Sequence, residues 1–248
     1  MSKRRMLVGL IGANIQGSMS PALFADAFAA AGIDGYYHLL DADRLADPRL
    51  TQLLGAVKTA GCAGLNVTYP FKQDIIALLD AVVPEAAQVG AVNTVSIAPD
   101  GRTTGYNFDR RGWRNSFLEI LGPDSAKAKK VVQVGAGGAG RAVAFALMDL
   151  GVADLIIHDL DPARANALKV QLSSNYGASR CRLAGSLEQD IADALAKNAR
   201  VLNGGGMCVH QAVAAFQCLT GVTPDVPRLH RTFAVSVAAR DAGLAAAS

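Results

Sequence analysis

Short apolar runs alternate with amphipathic stretches along most of the chain. Met6 to Ile11 has strand length, and PALFADAFAAAG after it carries Pro21 at a helix start and Gly32 at its end. GYYHLL then reads as a strand, LTQLLGAVKTAG as a helix, AGLNVTY as a strand and FKQDIIALLDAV as a helix. NTVSIAPDGRTTGYN has the pattern of a hairpin turning at Pro99-Asp100-Gly101. Beyond it, Val131 to Val134 is a short, mostly apolar strand that stops at glycines, and Arg141 onward is helical. ADLIIHD, DPARANALKVQL, SRCRLAG and LEQDIADALAK follow as strand, helix, strand and helix, and the final TFAVSVAARDAGLAAAS is helical in pattern. Such alternation predicts βαβ units and an α/β fold with a mainly parallel sheet. Two domains are expected, over 1–106 and 107–206, with their boundary between Asn107 and Ala128. Helices over about 207–248 are expected to pack back on the first.

Composition narrows the class. Of 248 residues, 51% are hydrophobic and 18% charged, which supplies a core and argues against disorder. The net charge of +3 comes without any block of like charges, so no nucleic-acid partner is expected. MSKRRMLVGLIG mimics a secretory leader, but its apolar run is short and broken by Gly9 and Gly12, so a first buried strand is the better reading. No apolar run approaches the roughly 20 residues that span a bilayer, so a cytoplasmic protein without a membrane partner is expected. Cys62, Cys181, Cys208 and Cys218 show no CxxC spacing and the histidines no HExxH, so no metal is expected.

The glycines after Val134 carry chemistry. Gly135-Ala136-Gly137-Gly138-Ala139-Gly140 lies between a strand and a helix, with an acid closing the next strand. In such a turn the first glycine permits the tight bend, the second admits a pyrophosphate, and the third lets helix and strand approach. The helix N-terminus offers N–H groups and a positive dipole end to phosphates. The second domain is therefore expected to be a Rossmann-type, doubly wound dinucleotide-binding domain. Asp159 lies about twenty residues past Gly140, the spacing of an acid that bonds the adenosine ribose. Asp161 could share that role or simply cap the helix that starts at Pro162. No arginine immediately follows Asp159, so NAD is favoured over NADP.

Polar clusters in the first domain sit at strand or turn ends. They are Ser18-Met19-Ser20-Pro21, Asn66-Val67-Thr68 with Lys72, Gly90 to Thr94, and Asn107-Phe108-Asp109. Ligands of open α/β sheets gather at the carboxyl ends of strands. Hydroxyls, amides, one lysine and one aspartate suit a small polyhydroxylated acid. The plain alternative for Lys72 is a solvated charge in the first turn of a helix.

Taken together and in order, SMSP, NVTYPFK, GAVNT, the G-x-N-x-D of GYNFD, GAGGAG and GGGMCVHQA resemble the shikimate dehydrogenase family over nearly the whole chain. The resemblance implies an N-terminal substrate domain, a C-terminal Rossmann domain, an active site in the cleft between them, and a place in aromatic amino acid biosynthesis. Carried over by position, Ser18 and Ser20 bind the substrate carboxylate. Thr68, Asn93 and Gln211 bond ring hydroxyls, and Lys72 and Asp109 form the catalytic pair. An unperturbed lysine titrates near about 10.4 and is a poor base at neutral pH. A closed cleft would lower that value, and an aspartate nearby would raise it and fix the amine.

Two departures qualify the resemblance. Phe108 replaces the usual threonine of the G-x-N-x-D motif, and its bulk is expected to reshape the cleft edge. The family also carries two further strands after SRCRLAG, whereas Gly185 to Ala199 has room for little more than one helix. Losing two strands from a parallel sheet would open buried edges. A chain break near Gln189 to Leu195, where strands are left out, is the expected explanation. A continuous chain there would suit an inactive homologue. The leading expectation is reversible interconversion of shikimate and 3-dehydroshikimate, by a monomer or homodimer. The alternatives are an NAD-dependent quinate/shikimate dehydrogenase, which DLD after the second strand favours and Ser20 disfavours, an aminoshikimate dehydrogenase, and a non-catalytic sensor of shikimate-like ligands.

Overall fold

A computed structural model describes residues 4–46, 49–196 and 204–247. It divides into two compact units, residues 1–108 with 208–248, and residues 109–207.

Unit 1 is built on a six-stranded sheet. Its elements are β1 (Arg5–Gly12), α1 (Ser20–Ala30), β2 (Asp34–Asp41), α2 (Leu50–Thr59), β3 (Gly64–Val67), β4 (Ala81–Val82), α3 (Pro84–Val89), β5 (Thr94–Ile97) and β6 (Thr103–Tyr106). The strand order is β2-β1-β3-β5-β6-β4. β1 pairs in parallel with β2 and β3, while the β5–β6 hairpin inserts β5 antiparallel to β3. β1 and β3 are buried almost throughout, which is why they read as apolar runs.

Two apolar clusters hold the sheet. In one, α1 sets Phe24 and Phe28 against Phe216 of α8 (Gly205–Thr220), with ring centroids 5.6 and 5.1 Å away. Burying each ring contributes about 1.5–3 kcal/mol. α9 (Val226–Ala247) is tied to α1 by the Arg228–Asp26 ion pair at 2.7 Å, and Leu229 joins the same cluster. The second cluster lies under α2, with Leu53, Leu54 and Val57 against Leu65, Val67 and Val95.

One expected helix does not form. FKQDIIALLDAV folds as a turn, a 3-10 segment at Asp74–Leu78, and the short strand β4. In an α-helix the Lys72 carbonyl would accept from Ile76 four residues on. Here it accepts from Val92 N at 2.7 Å, and Ile76 N turns to Gln73 O at 3.2 Å. A tertiary bond has displaced the local one.

Unit 2 contains α4 (Asp109–Leu121), β7 (Lys130–Val134), α5 (Gly138–Asp149), β8 (Asp154–His158), α6 (Pro162–Tyr176), β9 (Cys181–Leu183) and α7 (Leu187–Ala196). Its strands pair in parallel in the order β7-β8-β9. Phe145, Ile156 and Leu168 are fully buried among them. α7 runs unbroken through Gln189 to Leu195, so the expected chain break is not there. Residues 199–203, part of the stretch ARVLNGGGM, lie outside the described residues. Among the described residues no helix is long and apolar enough to cross a membrane.

Candidate active site

The ends of β1, β3 and β5 assemble the polar residues of unit 1. β3 runs out at Val67, whose N–H donates to Asn93 O at 2.8 Å, and Thr68 N donates to Ile11 O at 2.9 Å. A Cβ on Gly12 would fall 2.2 Å from the Thr68 methyl, so glycine there lets Thr68 sit against the end of β1. Val92 N, bonded to the Lys72 carbonyl, ties the lysine turn to the strand end that carries Asn93. Lys72 is half-buried in that turn, not displayed on a helix face. Ser18 and Ser20 lie at the start of α1, where Ser18 Oγ accepts from Ser20 N at 3.2 Å. A helix start with two hydroxyls suits a carboxylate.

Asn93 is the most informative of these side chains. It is 3% exposed, and its Oδ1 accepts from Phe108 N at 2.9 Å and from the Thr94 hydroxyl at 3.1 Å. Among the described residues, its buried Nδ2 has no hydrogen-bond partner. Leaving a buried donor unmet costs about 1–3 kcal/mol, so such a group points to a ligand acceptor. Phe108 is partly buried: its ring packs against a core cluster of unit 1 and stacks on Tyr106 at 5.6 Å, while its backbone N–H holds Asn93.

The glycine turn of unit 2 has the shape its sequence implies. Gly135 adopts φ +102°, which favours glycine, and a Cβ on Gly140 would lie 2.2 Å from Gly135 O. A Cβ on Gly137 would meet nothing within 4 Å. The turn is therefore tight at both ends and open in the middle, beside the N-terminus of α5, with Gly138 and Ala139 in that helix's first turn. This cradle fits a pyrophosphate.

Asp159 braces the turn. Its carboxylate accepts from Ala136 N at 2.6 Å and Asp161 N at 2.8 Å, and these donors hold it below the ordinary carboxylate value of 3.8. Asp161 instead caps α6 through Ala163 N at 2.9 Å and pairs with Arg164 at 3.3 Å. The geometry thus brings Asp159, and not Asp161, to the glycines.

Asp109 opens α4 and is 3% exposed. The next residue, Arg110, bonds Asp149 at 2.8 Å and Tyr176 at 3.0 Å, which fixes the first turn of α4 against α5 and α6. Gln211 is on α8, its Nε2 bonded to Cys208 O at 3.2 Å. Cys62, Cys181, Cys208 and Cys218 form no disulfide.

Sequence reading missed several polar residues that organise these sites. Gln133 of β7 donates to both Gly135 O and Gly140 O at 2.8 Å, lacing the glycine turn together. Asp41 of β2 accepts from Gln16 Nε2 at 2.8 Å and Ile15 N at 3.3 Å, holding the loop that leads to Ser18. For Gln133 the signal is a polar residue in an otherwise mostly apolar strand, which is costly to bury unless it is bonded.

Comparison with known proteins places these motifs. Residues 10–95 match the model of the shikimate dehydrogenase substrate binding domain. A "Quinate/shikimate dehydrogenase (NAD(+))" of Corynebacterium efficiens is 38% identical, covering 94% of this chain and 99% of the relative. A "Shikimate dehydrogenase (NADP(+))" of Streptomyces avermitilis is 37% identical, covering 92% and 95%. The solved structure of quinate dehydrogenase from Corynebacterium glutamicum in complex with NAD superposes with a TM-score of 0.85 at 34% identity, covering 94% of this chain and 100% of that one. The alignment with the Corynebacterium efficiens relative spans 283 positions. A chain of 248 residues leaves at least 283 − 248 = 35 of them facing gaps, so the relative carries internal segments that this chain lacks.

Proposed function

The chain belongs to the shikimate dehydrogenase family and is a nicotinamide-dependent oxidoreductase acting on a CH–OH group, and on that premise we propose that it interconverts shikimate and 3-dehydroshikimate. The observation that carries this reading is the buried, unmet Asn93 amide at the strand end shared with Thr68 and the Lys72 turn. A donor there calls for a ligand rich in acceptor oxygens, and a polyhydroxylated acid is one.

Roles follow from chemistry. Ser18 and Ser20 at the start of α1 hold the carboxylate, and Thr68, Asn93 and Gln211 bond ring hydroxyls. Oxidising an alcohol requires loss of its hydroxyl proton, and reducing the ketone requires its return. Lys72 takes and gives that proton at the reacting oxygen, with Asp109 as the other member of the pair. The bound nicotinamide supplies the hydride acceptor or donor. The turn from Gly135 to Gly140 and the N-terminus of α5 hold its pyrophosphate, and Asp159 bonds the adenosine ribose.

NAD is the proposed cofactor. A 2′-phosphate beside the Asp159 carboxylate meets like charge, and the residue that follows is the uncharged Leu160, 97% exposed. Quinate is the competing substrate, since the Corynebacterium efficiens relative is named for both acids. A non-catalytic sensor is disfavoured because Lys72 and Asp109 are both kept.

Initial rates with purified protein, shikimate or quinate, and NAD or NADP test the reading. Turnover with shikimate and NAD is expected. Faster turnover with quinate would move the substrate assignment, and preference for NADP the cofactor assignment. No turnover in any combination, with the intact mass verified, would overturn the function.

A further inference from the structure

The amide that faces the ligand is held by an ordered chain of hydrogen bonds inside unit 1. A backbone N–H can only donate, so the Asn93 atom 2.9 Å from Phe108 N must be Oδ1. A backbone carbonyl can only accept, so the Asn66 atom 3.3 Å from Asn93 O must be Nδ2. These two backbone groups fix both amides, and the hydroxyls follow. Thr94 Oγ1 donates to Asn93 Oδ1 at 3.1 Å and accepts from Asn66 Nδ2 at 2.9 Å. Tyr37 then has to donate to Asn66 Oδ1, 2.9 Å away. Tyr37, Asn66, Thr94 and Asn93 are 7%, 5%, 0% and 3% exposed, so water does not compete for these bonds.

We propose that Tyr37 and Thr94 are positioning residues of the substrate site, fixing Asn66 and Asn93 so that Asn93 presents only donors to the ligand. The proposal rests on the reading that Asn93 faces the substrate. Neither hydroxyl enters the chemistry. Their effect is on how well a substrate oxygen is met, so it shows in the KM for shikimate more than in kcat, and leaves NAD binding alone.

Thr94→Val, Thr94→Ser and Tyr37→Phe test it, each with steady-state kinetics and a thermal melt. Thr94→Val keeps the shape and removes both bonds, and the KM for shikimate is expected to rise about tenfold. Tyr37→Phe leaves Asn66 held by the Asn93 carbonyl, so a rise of about threefold is expected. Thr94→Ser keeps the hydroxyl and should restore a KM near that of the wild type. In all three, the KM for NAD should stay within about twofold. The proposal is overturned if Thr94→Val and Tyr37→Phe bind shikimate as the wild type does. It is equally overturned if the KM for NAD rises in step, or if Thr94→Ser is as impaired as Thr94→Val. Should Thr94→Val fail to fold, Tyr37→Phe decides alone. A wild type that turns over neither acid overturns the parent reading and this one with it, before any variant is made.

Discussion

In unit 1 the strand ends and the start of α1 offer side-chain groups, Asn93, Thr68 and the two serines, and bonds to a buried hydroxyl and to backbone set the orientation of Asn93. In unit 2 the glycine turn offers backbone N–H groups and open space, with almost no side chain at its centre. The difference matches what each has to recognise under the proposed function. A small ring with several hydroxyls is told from its neighbours by donors and acceptors in fixed places. A pyrophosphate is one repeated group, for which close approach and a helix N-terminus suffice. The two sites should therefore fail in opposite ways. Removing one polar atom harms unit 1, whereas adding one carbon harms unit 2.

Lys72→Met carries the largest expected effect. It removes the proposed proton carrier and keeps much of the side chain's bulk, so kcat should fall about 10³-fold while the KM for shikimate changes little. Steady-state rates with a melt as control would show it. A kcat close to that of the wild type would leave Lys72 as the surface charge of the plain alternative.

Gly140→Ala comes next. Its methyl would lie 2.2 Å from Gly135 O, a backbone atom that cannot swing aside. Overpacking of this kind costs about 1–3 kcal/mol, so the melting temperature should drop by about 5 °C, with weaker NAD binding. An unchanged melt would mean that helix and strand can part more easily than the geometry allows.

Much of this was legible in the sequence because punctuation and chemistry coincide. Glycines and prolines mark the strand ends where Thr68, Lys72 and Asn93 stand, and Gly135, Gly137 and Gly140 keep the fixed G-x-G-x-x-G spacing. The Lys72 segment was misread as a helix because its amphipathic pattern is genuine, and the Val92 bond that unwinds it comes from twenty residues away. Tyr37 was invisible for the same reason. It reads as one tyrosine of a strand, and its link to Asn66 exists only once β1 has brought β2 and β3 to either side of it. Phe108 shows the reverse case, a bulky residue at a site motif whose ring packs against the core and whose backbone N–H holds Asn93.

One paired measurement tests the contrast between the units most directly: the KM values for shikimate and for NAD in Thr68→Val and Gly137→Ala. Thr68→Val keeps the methyl over Gly12 and loses only the hydroxyl. Gly137 has φ −70°, which alanine accepts, and open space for a methyl, so Gly137→Ala should melt as the wild type does. The expected result is a clean separation. Thr68→Val raises only the KM for shikimate, and Gly137→Ala only that for NAD, each about tenfold. If both variants raise both constants, or if Gly137→Ala binds NAD normally, the division of recognition between side chains and open backbone is wrong.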